Sequence, residues 1–205
     1  MSLARLLQLA SPTLPVGAYS YSQGLEAAVE AGSVRDAASA QRWIGDVLEF
    51  SVARMEAPVL WRMMHGEDLD DFFLATRETA ELRAETLQMG HSLAVLLKDL
   101  SVGAVESLSY PAVYAFAVRQ WQLEPRAALV AYLWSWTENQ VMAAIKSVPL
   151  GQTDGQRILL ALGSRLEELA TRAAAMEEQD LCNFTPGLAF LSSRHEKQYS
   201  RLFRS

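Results

Sequence analysis

The chain has 205 residues, half of them hydrophobic and one fifth charged, with 18 basic against 24 acidic side chains and a net charge of -6. This composition is globular rather than disordered, and the acidic balance excludes a general nucleic-acid binder, which needs a basic footprint. No run of about 18 apolar residues is free of polar interruption, so no membrane span is expected. The N-terminus breaks at Pro12 and Pro15 and lacks the pattern of a signal peptide. The lone cysteine, Cys182, cannot close an intrachain disulfide and fits a reducing, cytoplasmic setting. It reads as a small buried hydrophobe.

Residues 2–10 predict a short helix with Leu3, Leu6, Leu7 and Ala10 on one face, stopped near Ser11 because Pro12 disfavours helical geometry before it. The segment 11–26 is a shaped loop, with Pro12, Pro15 and Gly17 constraining the backbone. Ser20 and Gln23 have the spacing of a capping box, which places a helix start near Tyr21 or Ser22 and an end near Gly32. Residues 36–55 carry Ala40, Trp43, Ile44, Val47, Leu48, Ser51, Val52 and Met55 at amphipathic spacing. Pro58 reads as an interruption, followed by a turn or two to His65 and a turn over 66–71. Helices are expected over 69–78 and 80–100. Pro111 and Pro125 sit where helices open, since their missing N–H has no helical partner there. The helix from 126 to about 147 is apolar almost all round and belongs in the middle of a bundle, so its polar insert, Thr137 to Gln140, needs partners. Residues 153–176 predict one further helix. Period-two alternation is absent, so the expectation is a single all-α domain over 1–205 of about eight to ten helices.

Catalytic machinery is hard to find. His65, His91 and His195 have no second ligand at metal spacing, and His195-Glu196 starts like a zinc-protease motif but meets Tyr199 where the second histidine should stand. There is no phosphate-binding loop with its lysine and no nucleophile elbow. Asp70-Asp71 and Glu177-Glu178 read as helix ends or solvated faces. On residue chemistry alone the chain is a helical interaction module, with no catalytic, cofactor or metal residues to name.

Four segments carry more. In the 11–26 loop, Pro12, Pro15 and Gly17 present Tyr19, Tyr21 and Glu26, either as a rigid loop on its own core or as a preorganised contact surface. In ETLQMGHSL (85–93), Glu85 and Gln88 flank Gly90, whose cost in a helix, about 1 kcal/mol relative to Ala, asks for a close helix approach or a partner groove. Around the end of the apolar helix stand Glu138, Gln140, Lys146 and Gln152. Lys146 reads as a charge favoured by the helix dipole or as an ion-pair or interface contact. In the tail, residues 194–205 carry +3 against -9 for the rest, with Arg194, His195, Glu196, Tyr199, Arg201, Leu202 and Phe203 able to form a short amphipathic helix. It is either a frayed end or a binding segment.

Together SPTLPVGAYSYSQGLE, ETLQMGHSL, NQVMAAIKSVPLGQTDGQRIL and SSRHEKQYSRLFRS, in this order, resemble the UreF family of urease accessory proteins. Many relatives have histidine where this chain has Gln23. The resemblance implies a non-enzymatic, all-helical, dimer-forming nickel-insertion chaperone of the cytoplasm. It also implies partners: UreD (also called UreH), the GTPase UreG and apo-urease, with GTP hydrolysis regulated rather than performed. Nickel would transit the assembled complex without a cofactor site in this chain, and the tail from 192 to 205 would order against UreD.

Overall fold

The computed structural model describes residues 2–106 and 108–205, and every regular element among them is helical. In order these are α1 (Leu3–Ala10), a 3-10 turn (Ala18–Ser20), α2 (Leu25–Glu30), α3 (Ala37–Val47), π-helical turns (Leu48–Glu56), α4 (Ala57–Met64), α5 (Asp70–Ala75), α6 (Ala80–Asp99), α7 (Tyr110–Gln120), α8 (Pro125–Ser147), α9 (Gln152–Gly163), α10 (Leu166–Ala174), a 3-10 turn (Glu178–Asp180) and α11 (Pro186–His195). The expected all-α domain is what the chain forms. No helix among the described residues is long and apolar enough to cross a membrane.

The apolar helix α8 runs through the middle and packs against α1, α2, α3, α4, α9 and α10. Its fully buried Leu129 and Leu133 and nearly buried Tyr132 each contribute about 1.5–3 kcal/mol relative to exposure. Glu124 opens this helix by accepting hydrogen bonds from the Arg126 and Ala127 N–H groups, so that it starts at Pro125, one residue ahead of the expected start. The polar insert finds partners in part: Thr137 donates to the Leu133 carbonyl and Asn139 to the Tyr21 carbonyl, whereas the buried Gln140 Nε2 has none among the described residues.

Pro58 does not interrupt. The helix continues from Ala37 to Met64 because π-helical turns precede the proline, and the Ala57 N–H bonds five residues back to the Val52 carbonyl. A proline clashes with the carbonyl four residues earlier in a regular α-helix, and the widened turns relieve that contact. The expected helix over 153–176 is two helices, broken at Ser164 and Arg165. Asp70 is a helix end, the first residue of α5, but not a solvated one: it is buried and accepts the Ser109 N–H at 3.0 Å. Cys182 is only partly buried.

Two readings near the ends are corrected. Ser20 and Gln23 form no capping box; Ser20 donates to the Gly17 carbonyl and α2 starts only at Leu25. Gln23 and Gly24 both have positive φ, 51° and 81°, which turns the chain sharply into α2. A Cβ on Gly24 would also press on Leu188 of α11 at 3.2 Å, so glycine suits both demands. The tail is not a helix beyond His195.

Candidate functional site

α11 delivers His195 to a place of zero solvent exposure, and residues 196–205 then return across α2 and α6 as an irregular strap. A row of carboxylates receives it. Glu26, in the first turn of α2, accepts the Leu202 N–H at 2.7 Å, the Phe203 N–H at 3.0 Å and sits 3.2 Å from His195 Nε2. Glu81, in the first turn of α6, lies 2.8 Å from His195 Nδ1 and accepts from Arg201 at 2.6 Å. One turn on, Glu85 accepts from the Ser205 hydroxyl at 2.7 Å. Ser22 donates both its N–H and its hydroxyl to the Ser205 carbonyl oxygen, and the Arg204 N–H bonds the Ser20 carbonyl. The strap is therefore tied by its backbone, which is why a helix cannot form there: the amides that would close helical turns are taken by Glu26 and Ser20.

Behind the strap lies a cavity of about 40 Å³ with mixed walls, Met89, Pro111 and Trp136 beside Gln23, Glu56, Arg77 and Glu85. Gln23 bridges its edge, donating to Glu85 at 2.7 Å and accepting from the Trp136 indole at 2.8 Å. On the far side Arg77 pairs with Glu56 at 3.0 Å, and the Tyr132 hydroxyl donates to the other Glu56 oxygen. Burial, then the charge of Glu56, pushes Tyr132 well above the usual phenol range and Tyr110 likewise up. Burial pushes Glu85 up to about 6, against the pull of Arg77, Gln23 and Ser205.

That shift has a sign. The folded state favours the neutral Glu85 acid, so its stabilising contribution is full below pH about 4.5 and is lost as pH rises through about 6. Glu85→Gln is always neutral and can still accept from Gln23 while donating to Ser205. Its melting temperature is expected to exceed wild type at pH 8 by the equivalent of about 2 kcal/mol and to match it near pH 4.5. Thermal unfolding at the two pH values reads this, and a variant equally destabilised at both contradicts it.

Outside the strap, the Lys146 ammonium lies 5.9 Å from the centre of the Tyr19 ring and 5.8 Å from that of Phe203. Its role here is to join the N-terminal loop to the strap through cation–π contacts. Tyr19 is 67% exposed, Leu202 71% and Tyr199 fully so, while Tyr21 and Phe203 point inward. The proline-shaped loop, with Gln88 and Arg204, borders a surface groove of about 460 Å³.

Thus the fold gathers Tyr19, Tyr21, Glu26, Glu85, Lys146, His195, Arg201, Leu202 and Phe203 at one end, from segments up to 183 residues apart. It leaves Gln152 exposed at the start of α9, Gln140 buried within α8, and Arg194 and Glu196 facing solvent. Glu138 is half-buried beside Trp134, and burial raises its carboxyl. Gly90 packs on the backbone of residues 108–110, which is the close approach its helical position required. Sequence reasoning missed Glu56, Arg77, Glu81 and Ser22. The signal for Glu56 was present, a carboxylate at an apolar position of an amphipathic pattern; Glu81 stood in a first turn like any dipole-favoured acid. Among the described residues no three His, Cys, Asp or Glu side chains are grouped as a metal site. The two His195 nitrogens face opposite carboxylates and cannot converge with them on one ion.

Comparison with known proteins decides the family. The UreF family model matches residues 34–163. The chain belongs to the UreF family. Relatives described as urease accessory protein UreF align along its whole length: that of Azoarcus sp. (strain BH72) is 53% identical over 100% of this chain and 96% of its own. That of Dechloromonas aromatica (strain RCB) is 53% identical over 100% and 98%. That of Janthinobacterium sp. (strain Marseille) is 50% identical over 100% and 98%. UreF is a family of accessory proteins and not of enzymes. The strap lies beyond the part that the family model matches, and these full-length relatives extend over it.

Proposed function

We propose that this UreF-family chain bridges UreD (UreH) and the GTPase UreG on apo-urease in the cytoplasm, and that as a homodimer it regulates GTP-dependent nickel delivery during urease maturation. It holds no cofactor of its own in this reading; nickel passes in the assembled complex. The observation that carries the reading is the strap. Its backbone is fixed by Glu26, Ser20 and Ser22, yet Tyr199 and Leu202 stand out from it into solvent, among Arg194, Lys197, Arg201 and Arg204. Apolar side chains held rigidly outward among basic ones suit a partner surface, because the cost of ordering the segment is already met and the charge speeds encounter with an acidic partner.

The test separates surface from scaffold. Removing residues 194–205 should abolish UreD capture, but it also uncovers Glu26, Glu81 and Glu85. The double variant Tyr199→Ala, Leu202→Ala touches only exposed side chains. It is expected to keep the wild-type melting temperature and to lose about 2 kcal/mol of UreD affinity, roughly 30-fold. Unchanged co-purification with UreD rules the strap out as the contact.

A further inference from the structure

His195 is more enclosed than partner binding requires. It is fully buried, and each ring nitrogen faces a carboxylate on a different helix: Glu26 of α2 at Nε2 and Glu81 of α6 at Nδ1. The fourth charged group is Arg201 of the strap, on the second oxygen of Glu81. Two carboxylates, one guanidinium and an imidazolium sum to zero. A neutral imidazole leaves one unit of negative charge buried and can donate from one nitrogen only. The other nitrogen then turns a lone pair toward a carboxylate oxygen.

The distances say which contact fails. The Glu81 contact is the shorter, 2.8 Å against 3.2 Å, so the proton stays on Nδ1 and the Glu26 side is lost. Glu26 Oε2 is also the acceptor for the Phe203 N–H, and its other oxygen accepts from Leu202. Repulsion at Nε2 therefore acts on the carboxylate that ties down the strap.

We propose that His195 is a proton-operated bolt for the strap: with both ring nitrogens protonated it clamps Glu26 and Glu81 together and holds residues 196–205 down, and loss of the Nε2 proton releases them. Resting on the partner role proposed above, this makes presentation of Tyr199 and Leu202 depend on pH. His195 is a positioning residue that acts through Glu26. Other titratable groups among the described residues also meet the strap: Glu85, which meets Ser205 at its far end and has a different partner set, Gln23 and Arg77, and Tyr21, whose phenol is pushed up by burial and hydrogen-bonds with Arg204. Opening is thus favoured toward higher pH by the imidazole, and a substitution at Glu85 separates the two contributions.

The experiment uses the full-length, isotope-labelled chain alone. Amide exchange of Leu202 and Phe203 is followed by nuclear magnetic resonance across roughly pH 5 to 8, the range in which histidines titrate, and corrected for base catalysis. The strap-opening constant is expected to rise with pH by up to about tenfold per unit, because one proton is linked, with the same midpoint as the His195 ring nitrogen signals. The rise should persist in Glu85→Gln and vanish in His195→Gln and Glu26→Gln. A flat profile in the wild-type chain overturns the bolt, as does a wild-type slope in His195→Gln. Should both bolt variants unfold, the match or mismatch of midpoints in the wild-type chain still decides. The readout needs no partner, so a flat profile defeats the bolt alone, whereas undiminished UreD capture by the Tyr199/Leu202 variant defeats the partner reading alone.

Discussion

Gly90→Ala is expected to destabilise the protein by about 3 kcal/mol or more, although alanine is the better helix former. Helix propensity alone would give a gain of about 1 kcal/mol. Packing reverses the sign. A Cβ at residue 90 would stand 2.0 Å from the Leu108 carbonyl oxygen, 2.8 Å from the Ser109 carbonyl carbon and 2.9 Å from the Tyr110 nitrogen. All three are backbone atoms, and the segment is pinned by Asp70 at the Ser109 N–H and by the start of α7. Overpacking a core costs about 1–3 kcal/mol when side chains can yield, and here none can. For a chain of this size the loss corresponds to a melting temperature lower by roughly 6–12 °C. Gly155→Ala is the control: the nearest atom is the Ile145 Cδ1, the end of a flexible side chain, at 2.4 Å. A Gly90→Ala protein that melts within about 2 °C of wild type would refute the close approach of α6 to α7.

Arg77→Met is the second large effect. Arg77 and Glu56 are each about seven-eighths buried, and removing one member of such a pair leaves an uncompensated charge costing about 3–5 kcal/mol. Arg77 is also the main influence holding Glu85 down against burial. Its guanidinium also lies over the Phe73 ring, 5.4 Å from the centre; methionine keeps the length of the apolar stem but supplies no charge. The part of the penalty that falls on ionised Glu85 depends on pH, so the gap to wild type should be widest near pH 8 and narrow as pH drops below the raised Glu85 value of about 6. Urea unfolding at both pH values measures it. A gap independent of pH would mean that Arg77 does not act on Glu85 through its charge.

The sequence made the helical architecture legible because apolar spacing and proline position are local signals. Pro111 and Pro125 marked two helix starts within a residue, and the all-round apolarity of α8 marked the centre of the bundle. The strap was less legible. The spacing of Tyr199, Leu202 and Phe203 suited a helix, yet Leu202 is exposed while Phe203 is buried, and their amides go to Glu26. No local pattern announces an acceptor 176 residues away. The same holds for Gln23: its side chain serves Glu85 and Trp136 instead of capping, and those partners lie on α6 and α8. What could be read was that the two end segments mattered. That they touch could not.

The bonds from Ser22 to Ser205 span 183 residues. Contacts that distant carry the largest loop-closure entropy and form late. During synthesis the strap emerges after every helix it rests on. At about 5–20 residues per second, Glu26 exists for roughly 9–35 s and Glu85 for roughly 6–24 s before their backbone and hydroxyl donors are made. The newborn chain thus passes through an open form, already helical in its body, whose acidic seat is vacant and whose basic end is last to arrive.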